Sequence, residues 1–272
     1  MIDNFITYIR CIRGYSANTC KAYESDLRTF VAWLKESNPE ARWSTITRTD
    51  IDKYVIHLKA KGAKSSTSNR AIAAISSIYM YFQREGKDID NPCRYESRRK
   101  LPETIPNTIP MADLKRAFEN NRGAMRSIIG ILTTTGIRLQ ELLDMTWEDF
   151  DFTNNSIRIN GKGAKARIVY TSEKVMAPFK EVSQNITPHG KIFWQSQRKI
   201  RTLLYEALKP YTRAKQISPH AIRHTYATEL ARQGYNVATI SQALGHNHLS
   251  TTQKYINMAE VETASKCLAN FI

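Results

Sequence analysis

The residues with the clearest chemical potential lie in the second half of the chain. Ser218-Pro219 supplies a helix N-cap followed by proline at the first helical position, and Gly234 supplies a stop. His220 and Arg223 then fall in the first turn, three apart on one face. A helix N-terminus attracts anions, so this pair is placed to hold a phosphate. Downstream, Asn236 caps a short helix that ends at Leu244-Gly245 and presents His246 just beyond the glycine. Ser250 and Gln253 form a capping-box pattern that opens another helix, with Tyr255 one turn in. Upstream, Thr135-Gly136-Ile137-Arg138-Leu139-Gln140-Glu141 sets Arg138 and Glu141 on one helix face at i, i+3, where Glu141 can orient or pair with a neighbouring cation. Gly161-Lys162-Gly163-Ala164-Lys165 puts a lysine on a tight turn between two strands, from which a long side chain reaches a separate site. Singly, each feature has an ordinary reading: a surface ion pair, a chance His-x-x-Arg, a plain turn, a core tyrosine. Together and in this order they are far more specific.

Elements must position these groups. In the first hundred residues, Tyr23, Leu27, Phe30, Val31 and Leu34 form one apolar stripe on a helix that begins near Ser16. Ile51, Tyr54, Val55 and Leu58 form a second stripe, and Ile72, Ile75, Ile78, Tyr79 and Phe82 a third. With the short segment before Gly14, this predicts a bundle of four helices over residues 1–86. Lys59, Lys61, Lys64 and Arg70 cluster around the turn between the second and third stripes, either as a solvated helix end or as a phosphate-contacting edge. Residues 87–107 lose the apolar period and carry Pro92, Pro102 and Pro106 beside Arg98, Arg99 and Lys100, which reads as an extended linker. The second domain, 108–272, opens with helices near 111–121 and 124–134. Alternating Ile157 and Ile159, turn residues 160–163 and the run Arg167–Thr171 follow as a hairpin or short meander. Helices resume near 173. The expected fold class is mainly α with a small antiparallel sheet, in two domains.

Bulk properties agree with a polyanionic partner. The 272 residues carry a net charge of +15 with a pI near 9.7, and 42% hydrophobic residues supply a core for each half. Residues 1–100 hold 18 Lys+Arg against 11 Asp+Glu, and the remainder holds 22 against 14. The excess is spread over both halves, as expected if both touch one polyanion, and nucleic acid is the commonest in a cell. Cys11, Cys20, Cys93 and Cys267 show no metal-ligand spacing, which fits a reducing cytoplasm. With no apolar signal core and no run near ~18 apolar residues, neither export nor a membrane is expected. Asn185-Ile186-Thr187 matches a glycosylation acceptor by letters only. Glu148, Asp149 and Asp151 lie at a helix end and read as turn residues, so no carboxylate cluster for a metal-dependent nuclease stands out.

The run Thr-Gly-Ile-Arg-Leu-Gln-Glu, the turn lysine, Pro-His-Ala-Ile-Arg-His-Thr, Leu-Gly-His and Thr-Thr-Gln-Lys-Tyr resemble, in order and spacing, the tyrosine recombinases, and most of all their compact Xer-type and integrase-type members. The resemblance covers nearly the whole chain, since that family also begins with a four-helix core-binding domain. It implies that Arg138, Lys162, His220, Arg223, His246 and Tyr255 are the six active-site residues, with Glu141 an accompanying acid. Lys162 is preferred to Lys165 because the family's lysine sits in the Gly-Lys-Gly position. Asn247-His248 stands where small residues are common, and Ala221-Ile222 replaces a leucine-containing pair. His224 and His248 read as structural or DNA-proximal.

The implied chemistry suits these residue types. Phosphodiester cleavage builds charge on non-bridging oxygens, which the guanidiniums of Arg138 and Arg223 can bind in place of a metal. His220 and His246 add hydrogen bonds, Tyr255 is the nucleophile, and Lys162 protonates the leaving 5′-oxygen as general acid. A phosphotyrosine conserves the bond energy, so no cofactor, metal or ATP is expected. The expected partners are double-stranded DNA with inverted-repeat core sites and, on two such sites, a homo-tetramer, in the cytoplasm or on the nucleoid. The chain starts directly with the core-binding helices, which favours a simple recombinase over one with an arm-binding domain. Val261, Ala264, Cys267, Leu268 and Phe271 lie on a terminal amphipathic helix that docks on a neighbouring protomer in this family, or packs in cis. DNA relaxation of the topoisomerase IB kind and non-catalytic DNA binding are the competing functions. The small helical first domain and Leu-Gly-His disfavour the former, and the full set of six residues the latter.

Overall fold

In the computed structural model, residues 1–94, 106–161, 166–185, 188–246, 249 and 251–259 are described. The chain divides into two compact units, Met1–Glu103 and Thr104–Ile272.

The first unit holds α1 (Ile2–Cys11), α2 (Ala17–Ser37), α3 (Arg48–Ala60) and α4 (Ser65–Arg84). Each start has a local cause. Ser16 Oγ accepts from the Thr19 amide at the head of α2, and Thr47 and Asp50 form a reciprocal capping box on α3. The three apolar stripes meet in one core in which Leu27, Phe30, Ile51, Tyr54, Ile75 and Tyr79 are all at most 1% exposed. Full burial of such side chains contributes roughly 1.5–3 kcal/mol each. Arg70 is exposed and is also an anchor of the bundle. Its guanidinium donates twice to buried Asp26, at 2.7 and 3.0 Å, and so ties α4 to α2. Lys59, Lys61 and Lys64 are exposed. Residues 87–94, which sequence assigns to the linker, are held on the bundle: Cys93 is buried in its core, and Asn91 Nδ2 donates to Ser76 Oγ at 3.0 Å. A prolyl stretch need not be free when its side chains find partners.

The second unit runs through α5 (Met111–Asn120), α6 (Gly123–Thr135), the five-residue α7 (Leu139–Leu143) and a 3-10 turn (Trp147–Asp149). Next come β1 (Phe150–Asp151), β2 (Ser156–Asn160) and β3 (Ala166–Tyr170). They form an antiparallel sheet in the order β1-β2-β3, with Ile157 opposite Val169 and Ile159 opposite Arg167. Ile157, Ile159 and Val169 face the core, as the alternation predicts. Then follow α8 (Glu173–Asn185), α9 (Gln197–Leu208), α10 (Pro219–Arg232), α11 (Val237–Leu244) and a last helix, α12, over residues 251–259. Helix α6 is apolar nearly all round and lies in the middle of this core. A second cluster joins Ala227, Ala231, Ile240, Leu244, Tyr255 and Ala259 from α10, α11 and α12. The fold is thus mainly helical with one small sheet. Asp149 is a buried cap that accepts from Thr146 N and Oγ1, in keeping with a turn role.

Candidate active site

The site assembles around the end of α11. Asn236 Oδ1 caps its start at Thr239 N, and Gly245 ends it with a φ of 66°. The last carbonyls of a helix lack intrahelical partners and carry the negative end of its dipole. Here three consecutive carbonyls are each met by a different arginine. Arg167 Nε donates to Ala243 O at 3.2 Å, Arg223 Nη2 to Leu244 O at 2.8 Å, and Arg138 Nη2 to Gly245 O at 3.0 Å.

Arg223 comes from α10, which starts as the sequence requires, with Ser218 Oγ accepting from Ala221 N and Pro219 in the first turn. Its side chain is buried, and Nη1 donates to Gly136 O at 2.7 Å. Gly136 ends α6 in the left-handed region, and a Cβ there would collide with the Tyr226 ring. Burial pushes the Arg223 guanidinium down to about 10, with the Arg138 charge acting in the same direction.

Arg138 is not on a helix face as the i, i+3 spacing suggests. It is the extended residue that precedes α7. Glu141 reaches back to accept from the Arg138 amide at 2.8 Å and from Nη1 at 2.9 Å, so the expected pair forms by a capping arrangement. Arg167 donates to the same carboxylate twice, at 3.1 and 2.8 Å. Burial works to raise the Glu141 carboxyl, but the hydrogen bonds and charges of Arg167 and Arg138 outweigh it and hold the group below its ordinary value.

Three histidines complete the cluster. His220 stands at the head of α10, its pKa lowered by partial desolvation of its ring and by the charges of Arg223, Arg201 and Arg138. His246 Nδ1 shares a hydrogen with Thr252 Oγ1 at 2.8 Å, and its pKa is pushed down to about 4 by burial and by the charges of Arg223, Arg138, Lys254 and Arg167. His224 stands one turn after His220, and its Nδ1 lies 2.7 Å from the Tyr255 hydroxyl. Burial and the Lys254 charge push His224 down to about 4. Tyr255 is 1% exposed, and burial raises its pKa while Arg223 works to lower it.

Of the six expected residues, Arg138, Arg223 and His246 are thus tied to one helix end, with His220 and Tyr255 within electrostatic reach of Arg223. Lys162 and the alternative Lys165 lie outside the described residues, as do His248, Ser250 and the terminal segment 260–272. Sequence reading missed two contacts. Arg167 was passed over although its strand alternation sets it on the inward face with Val169, an unusual place for an arginine. His224 was set aside, although its spacing from His220 puts both on one face of α10.

A profile of the Phage integrase family matches residues 111–262, and one described as phage integrase, N-terminal SAM-like domain matches 2–86. The chain belongs to the phage integrase family. Tyrosine recombinase XerC of Listeria innocua is 30% identical over 94% of this chain and 92% of its own length. Tyrosine recombinase XerD of Oceanobacillus iheyensis is 28% identical over 95% and 94%. Among solved structures, XerH site-specific recombinase bound to palindromic difH substrate aligns with a TM-score of 0.78 at 18% identity, over 98% of this chain and 84% of that one. The Tn1549 transposon integrase with transposon right-end DNA gives 0.74 at 19%, over 97% and 99%. These last two share the fold. This member of the phage integrase family is a tyrosine-type site-specific recombinase, and the relaxation and non-catalytic readings are not favoured. No described helix is long and apolar enough to cross a membrane.

Proposed function

We propose that this recombinase cuts duplex DNA by attack of the Tyr255 phenol oxygen on a backbone phosphodiester. The Oη–P bond forms as the P–O5′ bond breaks, leaving a 3′-phosphotyrosine and a 5′-hydroxyl. The observation that carries this reading is the convergence of Arg138 and Arg223 on the adjacent carbonyls of Gly245 and Leu244, next to His246. A guanidinium has more N–H donors than these anchoring bonds use, so donors are left for the non-bridging oxygens. His220 and His246, neutral at pH 7 by their lowered pKa values, contribute hydrogen bonds rather than charge. Lys162 supplies the proton to the 5′-oxygen. The buried Tyr255 starts protonated and gives up its phenolic proton, to His224 Nδ1 at 2.7 Å or to solvent, as the Oη–P bond forms.

The domain assignment follows the same reading. Residues 1–86 form a DNA-binding core-binding domain, 87–107 the connection, and 108–272 the catalytic domain. The recombinase acts as a homo-tetramer on two inverted-repeat sites, exchanges strands through a Holliday junction, and works in the cytoplasm on nucleoid DNA. Support comes from the net charge of +15 shared by both halves and from the DNA-bound relatives of the same fold. Tyr255→Phe tests the chemistry. It should abolish covalent trapping on a nicked suicide substrate and leave DNA affinity nearly unchanged. An adduct that persists in the variant places the nucleophile elsewhere.

A further inference from the structure

The six-residue set leaves out the most heavily bonded arginine of the cluster. Arg167 makes three charge-assisted bonds, two to Glu141 and one to Ala243 O, and its side chain is 13% exposed. It also lies flat against Gly245. A Cβ at that position would stand 2.8 Å from Arg167 Nη1 and 3.1 Å from Cζ, so the glycine is needed for this approach as well as for its positive φ. Arg167 therefore touches both supports of Arg138: the Glu141 carboxylate that takes its Nη1, and the helix end whose Gly245 carbonyl takes its Nη2.

Arg167 is the second residue of β3 and pairs with Ile159 of β2, one pair in from the turn end of the ladder. A shared carboxylate has two fixed faces for planar guanidiniums, and a bidentate partner on one face fixes the orientation offered to the other. Lysine in place of Arg167 keeps the charge but offers a point donor, which cannot hold Glu141 and Ala243 O in one plane.

We propose that Arg167 is a positioning residue of this recombinase: through Glu141 and the α11 carbonyls it fixes the Arg138 guanidinium against the scissile phosphate. This rests on the proposed role of Arg138, and the test separates the two. Single-turnover cleavage of a nicked suicide DNA, equilibrium DNA affinity and the thermal midpoint are measured for the full chain in four forms: wild type, Arg167→Lys, Arg138→Lys and the double variant. A small misplacement of a group that stabilises the transition state costs on the order of 10²-fold in rate, so Arg167→Lys should cleave roughly that much more slowly with nearly unchanged DNA affinity. Because both changes damage the same contact, the double variant should be no slower than Arg138→Lys alone. A purely structural Arg167 would instead multiply its loss onto that of Arg138→Lys, and that result overturns the proposal, as does wild-type cleavage by Arg167→Lys. Normal cleavage by Arg138→Lys would instead sink the phosphate-binding role on which the proposal stands. If Arg167→Lys folds poorly, Glu141→Gln serves in its place, since it keeps the volume and weakens the same brace. It must show the same slowing and the same lack of multiplication with Arg138→Lys.

Discussion

Acid should loosen the catalytic unit before most carboxylates begin to titrate. His224 and His246 are both pushed down to about 4, by burial first and by neighbouring cations second. In the unfolded chain they titrate near 6.5. Between these values the unfolded chain binds protons that the folded one refuses, so stability is complete above about pH 6.5, falls with acidification, and goes on falling to about pH 4. At 1.36 kcal/mol per pH unit, each histidine contributes at most about 3 kcal/mol over that window. Both rings are partly exposed, and screening reduces this to roughly 1–2 kcal/mol apiece. His220, also lowered, acts in the same direction. Glu141 is held low and contributes only below the usual carboxylate range. Amide hydrogen exchange across α10 and α11, corrected for its intrinsic pH dependence, reads this locally in the full chain. Protection should drop by about 1 kcal/mol or more between pH 6.5 and 5. His224→Gln keeps a polar partner for Tyr255 and removes one titrating group, so the slope should shrink. A flat profile from pH 6.5 to 5 would refute the assignment of these rings as partly buried neutral bases.

Two further outcomes follow from named contacts. Gly136→Ala forces a β-carbon into the left-handed region and against the Tyr226 ring, which should destabilise the unit by roughly 2–4 kcal/mol in urea unfolding. Because Gly136 O anchors Arg223, cleavage should fall too, and a stability loss under about 0.5 kcal/mol would count against the packing described. Lys162→Ala should cleave ordinary DNA about 10²–10⁴-fold more slowly and recover most of its rate on a 5′-bridging phosphorothiolate, whose sulfur leaves without a proton. Rescue of Lys165→Ala in its place would assign the general acid to Lys165.

Most of the scaffold was legible because its signals are local. Ser16, Ser218 and Asn236 each cap the helix they announce, and Ile157 with Ile159 marks the inward face of β2. These features depend on neighbours within a few residues, so one sequence suffices to find them. Legibility ended where partners are distant in the chain. Nothing near Arg70 says that Asp26, 44 residues away, claims its guanidinium. Likewise the 26-residue separation of Glu141 and Arg167 hides a bidentate pair. The i, i+3 spacing of Arg138 and Glu141 was read correctly as a pair but wrongly as a helix face. A capping box and a helical surface pair share that spacing, and only backbone geometry separates them.

The charge arrangement suits the phosphate-binding role proposed for this site. Among the described residues, Arg138, Arg167 and Arg223 share one carboxylate, Glu141, and Glu141 bonds only the first two. Arg223 is left with the carbonyls of Gly136 and Leu244, both at helix ends, where the dipole supplies roughly half a charge at most. A carbonyl is a weaker counterpart than a carboxylate, and the guanidinium shows it: burial pushes Arg223 down to about 10 although Glu141 works to raise it. That displacement is a cost of burying the charge without a carboxylate partner. A second acid beside Arg223 would remove the cost, but it would also occupy the donors and repel an anionic backbone. An arriving phosphodiester relieves the same cost and spreads further charge over its oxygens as the pentacoordinate state forms, so the relief grows along the reaction. In the proposed mechanism, the arginine without a carboxylate of its own is therefore what favours an anion at this helix end.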